Sequence, residues 1–306
     1  MIKILSSKNY EDPSERYGDC IVGINGKTAI IFDCGSEEHA KRTIDILDSY
    51  GIEKATVILS HNDNDHFDGI PHLIENGRVS ELFTILLLKY KKELLDKIDD
   101  GRRNISSIGE SIKERYNNIA SLSGKVSLKD IYENESELPA QVKRIGPDFE
   151  YMLDAVAKGL DGREGNTIDD ETITNAASVQ IKLNIGTATL LLTGDCAVEA
   201  IPEDEKLGNY SHIQLPHHGK PALADKIFER VGQNNDMIYI VSDNTGNSKG
   251  GSDDLNTKGR NVKNTKNGDI EISTVSSSSY GTYTGKTLGI WNIYCAVEIN
   301  QNFQQE

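Results

Sequence analysis

The segment LSHNDNDHFDG, residues 59–69, places His61, Asp63, Asp65 and His66 within six consecutive positions. It follows the apolar run KATVILS (54–60) and closes on Gly69, the pattern of a buried strand that runs into a loop. Carboxylates at that spacing repel one another unless positive charge lies among them. Imidazole and carboxylate together are ligands for zinc, manganese and iron. In an extended loop end, His61 and Asp63 share one side while Asp65 and the adjacent His66 turn to another. One motif can then serve two neighbouring ions.

Two further stretches carry the same chemistry. Asp195 follows the apolar run in LLLTGDC, with a turn glycine before it, and an ionised carboxylate there needs a partner. His217 and His218 in LPHHG end a third strand-like run. Three strand ends that each bear ligand-type residues point jointly to a dinuclear metal site. Taken singly, each has a plainer account. Asp195 alone reads as a helix N-cap, and His217–His218 alone as a partly exposed turn. Asp33 in IIFDCGS alone reads as a cap for the helix that begins near Ser36. The spacing does not say which of His217 and His218 binds metal. His39 and His72 fall on predicted helices and are expected at the surface. His212 lies on the strand before the His pair and is read as structural.

The elements that must position these residues follow from pattern. MIKILSS opens as a strand rather than a signal peptide. DCIVGIN (19–25) and KTAIIFD (27–33) form a hairpin. Ser36 caps a helix through about Tyr50, with Glu37 and Glu38 in its first turn and Gly51 past its end. A helix is expected over 67–75 and a strand over LFTILLLKY (82–90). Ile105, Ile108, Ile112 and Ile119 recur at helical spacing, so 90–125 is read as a helical insertion of two helices. It packs on the core as a surface hairpin or serves as a lid or dimer contact. SVQIKLNI and TATLLLTGD (178–195) read as a central strand pair. A helix over 222–231 and a strand DMIYIVSD follow. Residues 243–268 read as a long polar loop with basic Lys258, Arg260, Lys263 and Lys266, and strands are expected near 269–274 and 290–299.

Composition sets outer bounds. The 306 residues carry a formal net charge of -15, which argues against tight non-specific nucleic-acid binding but not against a nucleotide in a local cationic pocket. No run approaches the roughly 20 apolar residues of a membrane span. Cys20, Cys34, Cys196 and Cys295 are scattered, with no CxxC pair, and read as free thiols in a reducing cytoplasm.

At these residues the chain resembles the metallo-β-lactamase-fold hydrolases. That family carries an early Asp, an HxHxDH motif, a later His, a bridging Asp and a final His. Here Asp33, HNDNDH (61–66), Asp195 and His217 fall in that order. Within the superfamily the chain looks most like the soluble domain of ComEC-type DNA-uptake proteins. The resemblance rests on HNDNDH, NAAS (175–178), LLTGD (191–195), HHGK (217–220) and RIGPDFE (144–150), and spans about 17–220. It implies a single domain over 1–306: an αββα sandwich of two mixed β-sheets flanked by helices, metals at one edge, with the helical insertion near that edge. It implies two divalent ions, zinc or manganese. One would be held by His61, Asp63, Asp195 and Asn175, the other by Asp65, His66, Asp195 and His217, with Asp33 orienting a ligand from behind. The chain departs from the family in four respects, one being that SDNTGNSKGGSDD (242–254) keeps serine and asparagines but lacks the histidine of the family's GHP element. Asp63 replaces the usual second His, no histidine lies between His72 and His212, and Lys220 replaces a serine. Oxygen-rich ligation tilts the ion towards manganese.

Two such ions about 3.5–4 Å apart supply hydroxide near neutral pH. The resemblance implies a bridging hydroxide oriented by Asp65, with His218 or Lys220 at the leaving oxygen, and a nucleic-acid or nucleotide phosphodiester as substrate. Two other functions remain open. One is a thioester, lactone or β-lactam hydrolase. The other is a binding or regulatory module of a multi-protein system with a degenerate site. The sequence leaves oligomeric state open.

Overall fold

The computed structural model describes residues 1–274, apart from 99–100, 163–164, 166, 235 and 243–250. Met1–Val275 forms one compact unit. The strand expected near 290–299 lies outside the described residues, as does the last part of the domain expected over 1–306.

In chain order the strands are β1 (Ile2–Ile4), β2 (Cys20–Asn25), β3 (Thr28–Cys34), β4 (Ala55–Ile58), β5 (Val79–Thr84), β6 (Ser127–Asp130) and β7 (Val142–Gly146). They continue as β8 (Thr167–Ile168), β9 (Glu171–Thr172), β10 (Gln180–Ile185), β11 (Ala188–Leu192), β12 (His212–Gln214), β13 (Ile238–Val241), β14 (Asn261–Asn264) and β15 (Ile270–Ile272). One sheet has the order β15-β1-β2-β3-β4-β5-β6 and the other β14-β13-β12-β11-β10-β7, while β8 and β9 pair separately. Both large sheets are mixed. β1-β2-β3 are antiparallel and β3-β4-β5-β6 parallel. β7-β10-β11 are antiparallel and β11-β12-β13-β14 parallel.

Alternation along the strands sorts the core into three layers. Ile30, Phe32, Ile58 and Phe83 of the first sheet meet Ile181, Leu183, Leu190 and Leu192 of the second between the sheets. Ile31, Val57 and Leu82 face the other way, onto helices Glu37–Ser49 and Ile70–Glu75. Leu191, Ile213 and Tyr239 face helix Pro221–Val231 through Leu223, Ile227 and Phe228. The result is the αββα sandwich that the sequence implied. No helix among the described residues is long and apolar enough to cross a membrane.

Several elements differ from expectation. The helix expected over 67–75 is two short pieces, Asn64–Phe67 and Ile70–Glu75. Gly69 breaks it because its N–H donates to the Cys34 carbonyl at 2.7 Å, and a Cβ there would lie 2.2 Å from the Ser36 carbonyl. The strand expected over 82–90 is β5, which starts earlier and ends at Thr84 before a 3-10 turn at Leu87–Lys89. The stretch 90–125 holds three helices, Lys91–Ile98, Ile105–Arg115 and Asn117–Ser121, with Leu94, Ile98, Ile108 and Ile112 buried in the inter-sheet core. The stretch expected as loop over 243–268 contains β14, which pairs parallel to β13. Cys20, Cys34 and Cys196 are free and buried.

His39, expected at the surface, is fully buried. Its backbone N–H donates to Ser36 Oγ at 3.2 Å, and its ring packs edge-on against Tyr10. Burial, and then the nearby Arg42 charge, push its pKa down to about 3. His39 is therefore neutral when folded and gains a proton on unfolding below its ordinary value of about 6.5. Between these two values the unfolded chain binds more protons, so stability falls as the pH falls. His39→Asn should flatten the dependence of unfolding free energy between about pH 6 and pH 5 by up to ~1.4 kcal/mol per pH unit. Urea denaturation at both pH values reads this, and an unchanged slope would refute the buried neutral imidazole.

Candidate metal centre

The ends of β3, β4, β11 and β12 lie at one edge of the sandwich. A backbone bond from Val179 N–H to the Ser60 carbonyl, 2.9 Å, ties the two sheets there. β4 delivers Ser60 and His61, and the loop continues into the short helix that carries Asp65 and His66. β11 runs through Thr193 and Gly194 to Asp195. Gly194 takes φ 52°, and a Cβ on it would lie 2.7 Å from Ser60 Cβ, so the two strand ends approach only with glycine there. His217 and His218 both adopt left-handed backbone, at φ 50° and 54°. Such strain in non-glycine residues marks a turn held by its surroundings.

Four histidines share one arrangement: Nδ1 is tethered and Nε2 is aimed inward. His66 Nδ1 lies 2.8 Å from Asp33 Oδ2, and its Nε2 lies 3.3 Å from Asp195 Oδ1 without forming a hydrogen bond. His61 Nδ1 lies 2.9 Å from Ser60 Oγ, and its Nε2 faces Asp63 Oδ2 at 3.7 Å. His218 Nδ1 lies 2.8 Å from the Ser242 carbonyl, and its Nε2 is 3.1 Å from Asp65 Oδ2 and 3.7 Å from Asp195 Oδ2. His217 Nδ1 lies 2.7 Å from Glu171 Oε2, and its Nε2 is 3.8 Å from Asp195 Oδ2. An acceptor at Nδ1 fixes the tautomer that leaves the Nε2 lone pair free for a metal.

The electrostatics point the same way. Burial opposes charge on Asp195, yet His218, His66 and His217 hold its carboxyl well below the usual range. Burial likewise opposes the Asp65 carboxylate, and the His218 hydrogen bond with the His66 charge outweighs it, so its pKa is lowered. Burial works against protonated His66, but Asp195 and Asp33 raise its pKa well above the ordinary value. The same balance, with Asp195 and Asp19 as the opposing charges, raises that of His218. The cluster demands positive charge, which protons or metal ions satisfy alternatively.

The donor set fits divalent metal. Nε2 of His61, Nε2 of His66 and Oδ1 of Asp195 are buried without a hydrogen-bond partner. Three groups of residues bring ligand atoms within 4.8 Å of one another: His61, His66 and Asp195; Asp65, His66 and His218; Asp19, Asp195 and His218. Nitrogen and carboxylate oxygen in this mixture suit zinc or manganese.

The sequence-derived residues distribute unevenly. His61, Asp65, His66 and Asp195 converge with His218. Of the HHG pair, the resemblance implies His217 as a ligand, and His218 is the member buried in the clusters. His217 stands beside Asp195 and is partly exposed. Asp63 is half exposed, with Oδ2 3.7 Å from His61 Nε2. Asn175 is buried with its Oδ1 unpartnered, on the short helix Ile173–Ala176. Asp33 caps no helix. Its carboxylate accepts from Ser60 N–H and Ser60 Oγ, both at 2.7 Å, and braces His66. Lys220, expected at the leaving oxygen, is instead held by buried Glu171 at 2.6 Å and by the Asp170 carbonyl at 3.0 Å. His212 is buried, with Nδ1 2.8 Å from Ser211 Oγ.

Three residues of the site carried no recognisable motif. Ser60 immediately precedes the motif. Asp19 starts the hairpin, lies 3.2 Å from His218 Nδ1 and accepts from Gln214 Nε2 at 2.7 Å. Glu171 lies in an acidic run where nothing separates it from Asp169 and Asp170. Its burial depends on the β8–β9 ribbon.

No family model matches the chain, and no curated protein matches it. Among solved structures it is similar to the metallo-beta-lactamase fold protein YhfI from Bacillus subtilis, at 12% identity over 88% of this chain and 98% of that one, TM-score 0.47. It is also similar to Zn(2+)-bound PqqB from Methylobacterium extorquens, at 12% identity over 89% and 100%, TM-score 0.43. A third is the short form of human tRNase Z, at 13% identity over 78% and 92%, TM-score 0.39.

Asp33→Asn removes the negative charge that braces His66 and sets an amide N–H donor against one of the groups its carboxylate accepts from. It is expected to weaken divalent-ion affinity about 10–100-fold, read by competition with a chromophoric chelator. Unchanged affinity in Asp33→Asn would reduce Asp33 to a brace for the strand end.

Proposed function

We propose that the chain is a metal-dependent hydrolase and that its substrate is a phosphodiester. The observation that carries this reading is the convergence of four tethered imidazoles on the Asp195 and Asp65 carboxylates, with His61 and His66 Nε2 left buried and unpartnered. His61, His66 and Asp195 would hold one ion, and Asp65 and His218, with Asp195 beside them, its neighbour. Bound divalent ions there supply Lewis acidity and lower the pKa of a water.

The chain's own residues set the remaining terms. Asp65 sits at the rim of the cluster, and against burial the His218 hydrogen bond and the His66 charge keep its carboxylate ionised, an acceptor that would orient an attacking water through a hydrogen bond. Asp33 and Ser60 keep His66 and His61 in the productive tautomer. Glu171 neutralises Lys220 and fixes His217. The oxygen-rich motif and the resemblance of HNDNDH, LLTGD and HHG to the ComEC-type domain support a phosphodiester over a thioester or lactone.

The test is elemental analysis of purified protein beside Asp65→Ala, each assayed with bis-p-nitrophenyl phosphate plus manganese or zinc. We expect close to two ions per chain and cleavage that falls at least about 100-fold in the variant. Two ions without cleavage would turn the reading to another ester. No bound ion after supplementation would sink it.

A further inference from the structure

Asn62 and Asn64 alternate with the candidate ligands His61, Asp63 and Asp65, and the metal cluster does not use them. They tie the helical insertion to the motif. Asn62 Nδ2 donates to the Arg115 carbonyl at 3.2 Å, and Asn118 Nδ2 donates to the Asn62 carbonyl at 3.1 Å and to Asn64 Oδ1 at 3.3 Å. The Ile119 N–H closes the clasp on Asn62 Oδ1 at 3.4 Å. The junction between helices Ile105–Arg115 and Asn117–Ser121 is thereby fixed against the loop that bears the ligands.

Behind that junction lies a cavity of about 330 Å³, walled by Leu87, Ile112, Tyr116, Ile119, Ala120 and Leu128 among others. It is large enough for part of a small ligand, whose sites start at about 300 Å³. A second hollow of about 20 Å³ touches Ser60, His61 and Asn62, and Ile85, Leu87, Tyr116 and Ile119 line both. The apolar cavity therefore abuts the candidate metal centre across a shared wall. That wall is aliphatic with one aromatic ring. It offers no amide or carboxylate side chain to pair with the edge of a nucleobase. Its charged members are two lysines, Lys89 and Lys113.

We infer that this cavity seats an aliphatic arm of the substrate, so that the ester cleaved at the metal centre belongs to a small amphiphilic organophosphate rather than to a nucleic-acid strand. The inference rests on the hydrolase reading above and narrows its substrate. The hollow beside His61 holds only about 20 Å³, so the arm reaches the cavity by displacing side chains of the shared wall, Tyr116 and Ile119 among them. The asparagine clasp holds the cavity in register with the ligands. A nucleic-acid strand would find neither base-reading groups in this wall nor a favourable field around a chain of net charge -15.

The test is calorimetric titration of the manganese-supplemented full chain with ethyl, butyl, hexyl and octyl phosphate. Affinity should rise roughly two- to fourfold with each added methylene, as apolar burial requires. Ala120→Trp fills the cavity from one wall and Ser123→Trp from its rim. In either variant that keeps the wild-type circular dichroism spectrum, the octyl gain should disappear while ethyl phosphate binds as before. A flat series, or a gain kept in both folded variants, overturns the proposal. Cleavage of bis-p-nitrophenyl phosphate is scored alongside. A flat series with cleavage intact overturns the aliphatic subsite alone, and a flat series with neither bound ion nor cleavage overturns the hydrolase reading as well.

Discussion

Repulsion among buried carboxylates is the constraint on which the rest of this structure depends. Asp19, Asp33, Asp195 and Glu171 are all buried near one edge of the sandwich, with Asp65 beside them. Two like charges about 4 Å apart repel by about 4 kcal/mol at an effective dielectric constant near 20. The chain meets this by interleaving imidazoles with carboxylates. His66 lies between Asp33 and Asp195, His218 between Asp19 and Asp65, and His217 between Glu171 and Asp195. Each ring takes one carboxylate or carbonyl at Nδ1 and turns Nε2 to the next.

That alternation needs strand ends at close and fixed spacing. Parallel neighbours β3 and β4 bring Asp33 beside Ser60, and parallel neighbours β11 and β12 bring Asp195 beside the His pair. Glycine supplies the closest approaches. A Cβ on Gly35 would lie 1.9 Å from the Asp65 carbonyl, the carbonyl that accepts from Asp19 N–H at 2.8 Å. Asp33 itself takes φ 58°, a strained backbone offset by the three hydrogen bonds that its carboxylate accepts. Local strain is thus exchanged for orientation of the rings.

The helical insertion is joined to this edge by polar and apolar contacts at once. Its helices bury Leu94, Ile98, Ile108 and Ile112 in the inter-sheet core, while Asn118 reaches the backbone of the HNDNDH motif. A segment that reads from its sequence as a surface hairpin therefore contributes a wall next to the ligands. The two asparagines inside HNDNDH, silent as metal ligands, are the residues that make this connection.

Much of the fold was legible along the chain because the strands alternate strictly. Ile30 and Phe32 against Ile31, and Leu190 and Leu192 against Leu191, already say that each sheet is covered on both faces. The ligand types at the ends of three strands were equally legible, since charged and imidazole side chains at the end of an apolar run stand out from its period. Three things were not legible. The burial of His218 rather than His217 in the cluster depends on a left-handed turn that sequence spacing does not encode. The burial of His39 depends on which face of its helix meets Tyr10 and Ser36. The pairing of Lys220 with Glu171 depends on a ribbon that packs from 49 residues away in the chain. The sequence by itself determined which chemical groups stand at the strand ends, because periodicity is local. Only the tertiary structure decided which nitrogen faces which carboxylate, because that follows from distances between segments remote in the chain.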